Sequence, residues 1–405
     1  MSNHLYFHKL TTSLVTATAL IAATALCASA RAGDSDNDRD DDSDHVMLSF
    51  STVGDSRQDP VTFDPTSAPL SGQDAIWLQN TKAWSRMIDS ISNQEAQFLF
   101  FNGDMIMGYG NAIAPADNSV ATVLNSDLMK FYRQYAFWRG MVAPLMERGT
   151  YVIPVAGNHE VQSKPLGKKA QQANEDAWRA NMADLILDDA RFQNLFGEVA
   201  TNKSIGDNRA VAPEGDGVLG ATLATDQSKL SYSFDFRGSH FAVINTDPVG
   251  NDSHAPAHWL ANDLLAAKGR GVKHNFVFGH KPAYTYHYGA TTPLPATPSG
   301  IDVDLASRDA FWNVIEQYNA TYFCGHEHIF NLTQPRGKAW QILVGTGGSP
   351  FEALPTDATV NPQTDRDYAW ATVKVYSSGK VKLRAYGFDD HFGPTRLLQM
   401  ITLAK

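Results

Sequence analysis

Five times along the chain, an apolar strand-like run ends in glycine and is followed at once by a residue able to hold a metal or a phosphate. VMLSFSTV (46–53) leads into Gly54-Asp55-Ser56-Arg57, AQFLFFN (96–102) into Gly103-Asp104, and YVIPVA (151–156) into Gly157-Asn158-His159-Glu160. NFVF (275–278) leads into Gly279-His280, and TYFC (321–324) into Gly325-His326-Glu327-His328. Glycine lets the backbone turn sharply just ahead of a ligand. In an α/β sheet, ligands gather beyond the carboxyl ends of the strands. The series therefore predicts a fold that brings five distant segments to one cleft.

The residue types in that cleft suit two metal ions. Carboxylates bridge hard cations, and imidazoles bind ions of the zinc, iron and manganese class. Asp104 is the natural bridge, and Asn158 offers a neutral carbonyl oxygen. His326 and His328 leave one strand end two residues apart, so they would share a face in a strand but can be aimed at different ions by a turn. Ions about 3.5–4 Å apart can hold a hydroxide between them and stabilise in-line attack on phosphorus. His159 is then free to act as a general acid or to stabilise charge at the leaving oxygen. Each dipeptide alone is common; Gly-Asn-His-Glu and Gly-His-x-His carry more information, and all five in series carry most.

The series resembles the calcineurin-like metallophosphoesterases, whose pattern runs D-x-H, GD, GNHE, H and GHxH. It spans about residues 48–348. SYSFDFRGSHFAVINTD and VGTGGSP are similar to the purple-acid-phosphatase-like branch. The resemblance implies a four-layer α/β/β/α sandwich and hydrolysis of phosphate esters. It also implies that Asp55 and His328 hold one metal, that Asn158, His280 and His326 hold the other, and that Asp104 bridges them. His159 would sit at the substrate phosphate. The expected cofactors are two divalent or mixed-valence ions of manganese, zinc or iron.

Arg57 departs from that pattern, standing where the first motif commonly has histidine. The tyrosine ligand of purple acid phosphatases is also missing, since Met107 fills its place and Tyr109 lies two residues further on. The first site keeps Asp55, Asp104 and His328, with water or Tyr109 to complete it. Arg57 is read as a bidentate donor to the substrate phosphate, the alternative being an ion pair with Asp59 away from the cleft. Asp247 is a candidate support for a ligand, and Tyr284, Tyr286 and His287 are candidates to line the pocket. His254 and His258 read as exposed or capping residues, and Cys324 as a buried inert thiol.

The first 32 residues read as a secretory signal. His8 and Lys9 give a weakly positive start, Leu14 to Ala28 is apolar and small, and two A-x-A sites follow. Cleavage removes Lys9, Arg31 and no acid, taking the formal charge from −10 to −12. It leaves Cys324 without an internal disulfide partner. No later run is apolar enough to span a bilayer, so the expected location is periplasmic or extracellular with no membrane anchor. Seven aspartates between Asp34 and Asp44 read as a solvated disordered linker over 33–45. Arg39 and His45 occupy the glycine and acid positions a calcium loop needs. Forty-three acids against 33 bases exclude a basic nucleic-acid surface.

The catalytic domain is assigned to 46–405, an alternation of strands and helices arranged as sheet on sheet with helices outside. Helical stripes run through Ile76–Ile91, Leu128–Leu145, Trp259–Leu264 and Phe311–Tyr318. Residues 162–229 show little strand character and read as a helical insert. The reading is an exported metal-dependent phosphoesterase acting on small phosphate mono- or diesters through a metal-bound hydroxide. Two rivals are a metal- or phosphate-binding protein of the same fold without turnover, and an SGNH-type esterase using Ser56.

Overall fold

The computed structural model describes residues 44–61, 73–205, 225–286, 298–352 and 366–404. The proposed signal, most of the acidic linker and His287 lie outside them. Asp44 is already tied down, accepting bonds from Ser378 N at 3.0 Å and Ser377 Oγ at 3.2 Å. None of the described helices is long and apolar enough to cross a membrane.

Two sheets form the centre. The strands, in chain order, are β1 (Val46–Val53), β2 (Phe98–Phe101), β3 (Tyr151–Pro154), β4 (Gln162–Ser163), β5 (Lys169–Ala170), β6 (Thr201–Ser204), β7 (Tyr232–Phe236) and β8 (Ser239–Val243). They continue with β9 (His274–Phe278), β10 (Thr321–Cys324), β11 (Phe330–Thr333), β12 (Gln341–Val344), β13 (Tyr368–Tyr376), β14 (Val381–Phe388) and β15 (Arg396–Ala404). The first sheet has the order β15-β14-β13-β1-β2-β3, and the second β11-β12-β10-β9-β8-β7-β6. β4 and β5 form a separate small hairpin. The neighbours β1, β2 and β3 run parallel, as do β8, β9, β10 and β12. Parallel order puts the ends of β1, β2 and β3 at one edge, and likewise those of β9 and β10. Their motif glycines follow there.

These strands read as unbroken apolar runs because both faces are covered. On β2, Phe98 and Phe100 face the second sheet, and Phe101 faces outward. Phe50 of β1 meets Phe241, Phe276, Phe278 and Phe323 of the second sheet edge-on, with ring centroids 5.0–5.8 Å apart. Phe100 stacks on Phe278 at 3.8 Å. Phenylalanine thus fills the space between the sheets.

The helices cover the outer faces. α1 (Gln73–Ser92), α2 (Val120–Asn125) and α3 (Asp127–Glu147) precede β3. Trp84 of α1 and Trp138 of α3 both pack on Phe101, at 5.0 and 5.1 Å. The Ser126 hydroxyl starts α3 by accepting the Met129 N–H at 3.2 Å. α4 (Asn158–Val161), α5 (Gln172–Met182) and α6 (Asp189–Phe196) follow β3. On the other side α7 (Ala257–Gly269) and α8 (Leu305–Gln317) bury a second cluster against Ala242, Val277, Tyr322 and Leu343. The result is the four-layer α/β/β/α sandwich.

Where described, the stretch 162–229 holds α5 and α6, as a helical insert would, but it also holds the β4–β5 hairpin and an edge strand. β6 (Thr-Asn-Lys-Ser) pairs with β7 and is mostly exposed, so it carries no apolar pattern to read. β15, the outermost strand of the first sheet, also escapes the reading: RLLQMITLA is apolar, but its apolar residues do not alternate. Phe192 and Phe196 of α6 pack on Phe98 and Phe236, closing one end of the sandwich.

Candidate metal centre

The five motifs meet at one end of the two sheets. Asp55, Asp104, Asn158, His159, His280 and His328 are buried, and His326 and Arg57 are partly exposed. Several turn residues have left-handed backbone, with φ of 66° at Asp55, 38° at Arg57, 52° at Asp104 and 74° at His326. Non-glycine residues adopt this conformation uncommonly, and four of those that do so here stand in the motif turns. Glycine is required where two turns touch. A Cβ on Gly157 would collide with the Asp104 carboxylate, and one on Gly325 with that of Asp55.

Three donor atoms converge on one point, and a fourth stands beside one of them. Asn158 Oδ1 lies 2.7 Å from His280 Nε2 and 2.8 Å from His326 Nδ1. The two imidazole nitrogens are 3.3 Å apart, and Asp104 Oδ1 is 3.2 Å from His280 Nε2. Ligand bonds of about 2.0–2.2 Å to a transition ion place neighbouring donor atoms roughly 3 Å apart. The spacing therefore fits one cation held by Asn158, His280, His326 and Asp104. Asp55 and His328 stand beside them, with His328 Nε2 3.8 Å from Asp55 Oδ1. Ligand atoms of Asp55, Asp104 and His280 all lie within 4.8 Å of one another.

Carbonyl groups set the ring tautomers. Nδ1 of His280 faces Asn102 O at 2.7 Å, that of His328 faces Pro350 O at 2.9 Å, and that of His159 faces Met107 O at 2.5 Å. An Nδ1–H donated to each carbonyl leaves Nε2 turned inward. His326 is the exception and presents Nδ1. The turn at His326 explains the divergence, for His326 reaches Asn158 while His328 reaches Asp55.

The electrostatics are those of a cation site. Burial pushes Asp55 well above the usual carboxylate range. Burial would raise Asp104 as well, but His159 and His280 hold it well below. Against its own burial, His280 is pushed up to about 10 by Asp104 and Asp55. Burial pushes His159 down to about 4, opposed by Asp104 and reinforced by Arg57.

Arg57 is anchored at three points. Its N–H donates to Asp104 O at 2.8 Å, its carbonyl accepts from Asn80 Nδ2 at 3.3 Å, and its Nε donates to Ser349 Oγ at 2.9 Å. Its charge acts on Asp55, His159, His328 and Glu352. The ion pair with Asp59 is not formed; Asp59 accepts from Gln134 Nε2 at 2.8 Å.

Tyr109 does not complete the first site. Its ring packs on His159 with centroids 3.8 Å apart, and its hydroxyl accepts from Asn158 Nδ2. Burial raises the phenol well above its ordinary value. Asp247 supports the site through Lys281, whose Nζ donates to it at 2.6 Å beside His280. Tyr284 packs on Trp312, and Cys324 is a buried free thiol. His258 is exposed, and His254 lies 3.5 Å from Asp304 Oδ2. The serine-esterase reading fails on geometry. Ser56 is fully buried and donates to Met105 O at 3.1 Å, and His391 is 90% exposed and paired with Asp390.

Three supporting residues went unassigned in the sequence: Glu160, Asn102 and Ser349. Each lies inside a quoted motif or run, but its role depends on which strands are neighbours.

Fold and site together point to one family of proteins. The family described as calcineurin-like phosphoesterase matches residues 77–330, and the chain belongs to it. Asp55 and Arg57 precede the matched stretch. Among solved structures, the chain is similar to the purple acid phosphatase PPD1 from seeds of yellow lupin (Lupinus luteus), with 12% identity and a TM-score of 0.50. That likeness covers 88% of this chain and 53% of the lupin protein, so the chain spans about half its length. It is also similar to PhoD, at 14% identity and a TM-score of 0.47 over 87% of this chain and 71% of that one. A dimetal phosphatase from Danio rerio gives 11% identity and a TM-score of 0.44, over 89% and 99%. These likenesses concern the fold alone. No curated protein matches the sequence.

Proposed function

We propose that the protein is an exported phosphoesterase hydrolysing small phosphate mono- or diesters at a two-metal centre. The observation that carries this reading is the convergence of Asn158, His280 and His326 on one point, with Asp104 against His280 and Asp55 and His328 alongside. Asn158, His280 and His326 would hold one ion, Asp55 and His328 the other, and Asp104 would bridge them. Two such ions, of manganese, zinc or iron, supply Lewis-acid activation of water and neutralise charge on the phosphoryl oxygens.

The remaining residues orient and discharge the substrate. His159 turns Nε2 into the site, 3.6 Å from Asp104 Oδ2, where it can meet the leaving oxygen. Its imidazole is neutral until a phosphate arrives, and the negative charge of that phosphate favours the imidazolium. Arg57 presents its terminal nitrogens to the phosphoryl oxygens while Ser349 holds Nε. The signal-like first 32 residues support export, and the acidic balance of the chain supports a small-molecule substrate over a nucleic acid.

The test is p-nitrophenol release from the aryl phosphate monoester and the matching diester. The mature protein is assayed with and without a chelator, beside Asp104→Asn. Chelator-sensitive release that Asp104→Asn loses is the expected result. Absence of release with manganese, zinc and iron each supplied would favour a binding protein of the same fold.

A further inference from the structure

The two halves of the centre are unequal. Asn158 Oδ1, His280 Nε2 and His326 Nδ1 form a closed set with spacings of 2.7–3.3 Å, and Asp104 Oδ1 adds a fourth donor 3.2 Å from His280 Nε2. On the other side, among the described residues, Asp55, Asp104 and His328 offer donors. Both Asp55 oxygens already accept the His326 N–H, at 3.0 and 3.1 Å, and His328 Nε2 is 3.8 Å from the nearer one. Among the described residues no further donor closes this side. Tyr109 is turned to Asn158, the Met107 carbonyl faces His159 Nδ1, and Glu352 Oε2 accepts the His328 N–H at 2.9 Å.

A cation stands there instead. Arg57 follows Asp55 by two residues, and its backbone is tied to Asp104 and Asn80. Among the described residues it forms no ion pair, and its only side-chain hydrogen bond is from Nε to Ser349. A fixed guanidinium beside a three-donor site repels an incoming ion. A phosphate removes both defects, adding an oxygen donor for the ion and neutralising Arg57 through the two terminal nitrogens.

We infer that the ion at Asp55 and His328 is taken up together with the phosphate, while the ion at Asn158, His280 and His326 is held without it. This rests on the two-metal reading above and deepens it. Linkage makes the effect reciprocal, so phosphate tightens the second ion by the same factor as that ion tightens phosphate. Arg57 is then the residue that makes the second ion conditional.

The experiment counts ions and needs no turnover. Protein stripped with a chelator is titrated with Mn2+ by calorimetry, with and without inorganic phosphate. The expected result is one tight ion per chain alone and two with phosphate, the second tightened at least about tenfold. Arg57→His, which puts an imidazole beside Asp55, is expected to bind two ions without phosphate. Arg57→Ala removes the repulsion without adding a donor, so the gain from phosphate should fall below about threefold. Two equal tight ions in the unaltered protein would overturn the inference, as would one ion indifferent to phosphate. Failure to bind any ion tightly would overturn the metal centre itself, and the two-metal reading with it.

Discussion

Glu160 Oε2 accepts the backbone N–H of Asp104 at 2.9 Å, so the acid of one motif sets the turn that carries the proposed bridging ligand of another. The same carboxylate takes the N–H groups of Gly157 at 2.7 Å, Met105 at 2.8 Å and Ile106 at 3.2 Å. Glu160→Ala would leave four buried donors unpaired. At 1–3 kcal/mol each, partly relieved by water, the loss should be on the order of 4 kcal/mol. Urea unfolding of the metal-free protein measures it, and a loss below about 1 kcal/mol would contradict the clamp.

His159 is separated from the ion ligands by its role. Its Nδ1 is fixed on Met107 O, and its Nε2 lies 3.6 Å from Asp104 Oδ2. His159→Ala is expected to lower kcat about 10²- to 10⁴-fold while leaving ion content unchanged. Metal analysis of the variant decides the point, because a matching fall in bound ions would make His159 a ligand instead.

Ion uptake should release a proton from His280. Asp104 and Asp55, working against burial, push this imidazole up to about 10, and Nε2 is the atom an ion would take. The proton and the ion compete for that nitrogen, so affinity should rise with pH, by up to about tenfold per unit below that value. Calorimetry in two buffers of different ionisation enthalpy should show about one proton released with the first ion. Uptake without proton release would remove the basis for this assignment.

A second ionic cluster governs stability. His240 of β8 is fully buried between Asp235 of β7, 2.6 Å from Nδ1, and Asp263 of α7, 2.9 Å from Nε2. Arg270 Nε also meets Asp235, at 2.6 Å. Burial would lower His240, but the bonds to Asp235 and Asp263 raise it above the ordinary imidazole value of 6.5. Its stabilisation is therefore complete below 6.5 and lost as pH rises through the folded value. Asp235 shows the opposite behaviour. Burial would raise it, yet His240 and Arg270 hold it at about 2, so its contribution is present above 3.8 and fades as pH falls toward 2. Thermal melts against pH should show both flanks. In His240→Gln the alkaline flank should flatten, and an unchanged flank would assign it to other groups.

Phe50 holds the sheets together. Its ring meets four phenylalanines of the second sheet, and Phe50→Ala should destabilise the protein by about 3–5 kcal/mol. Denaturant unfolding checks this; a loss near 1 kcal/mol would mean that the sheets repack around the gap.

Element type was legible wherever both faces of a strand are buried. VMLSFSTV coincides with β1, and the stripes ending at Ile91 and Leu145 lie in α1 and α3. β6 was not legible because an exposed edge strand needs no apolar residues, and β15 because its apolar residues do not alternate. Tyr109, two residues beyond the expected tyrosine position, was a candidate beside water to complete the first site. The loop instead carries it to Asn158, where its backbone N–H also meets His159 O at 3.0 Å.

Local chemistry alone determined which residue types stand after each strand, and so the class of site: glycine turns, carboxylates and imidazoles in a fixed series. The tertiary structure decided how those residues divide. A left-handed turn at His326 sends it to Asn158 and leaves His328 to Asp55. Ser349, 292 residues away in the chain, holds Arg57 in the site. Such contacts depend on which strands lie side by side, and that order comes from burying two phenylalanine faces against each other.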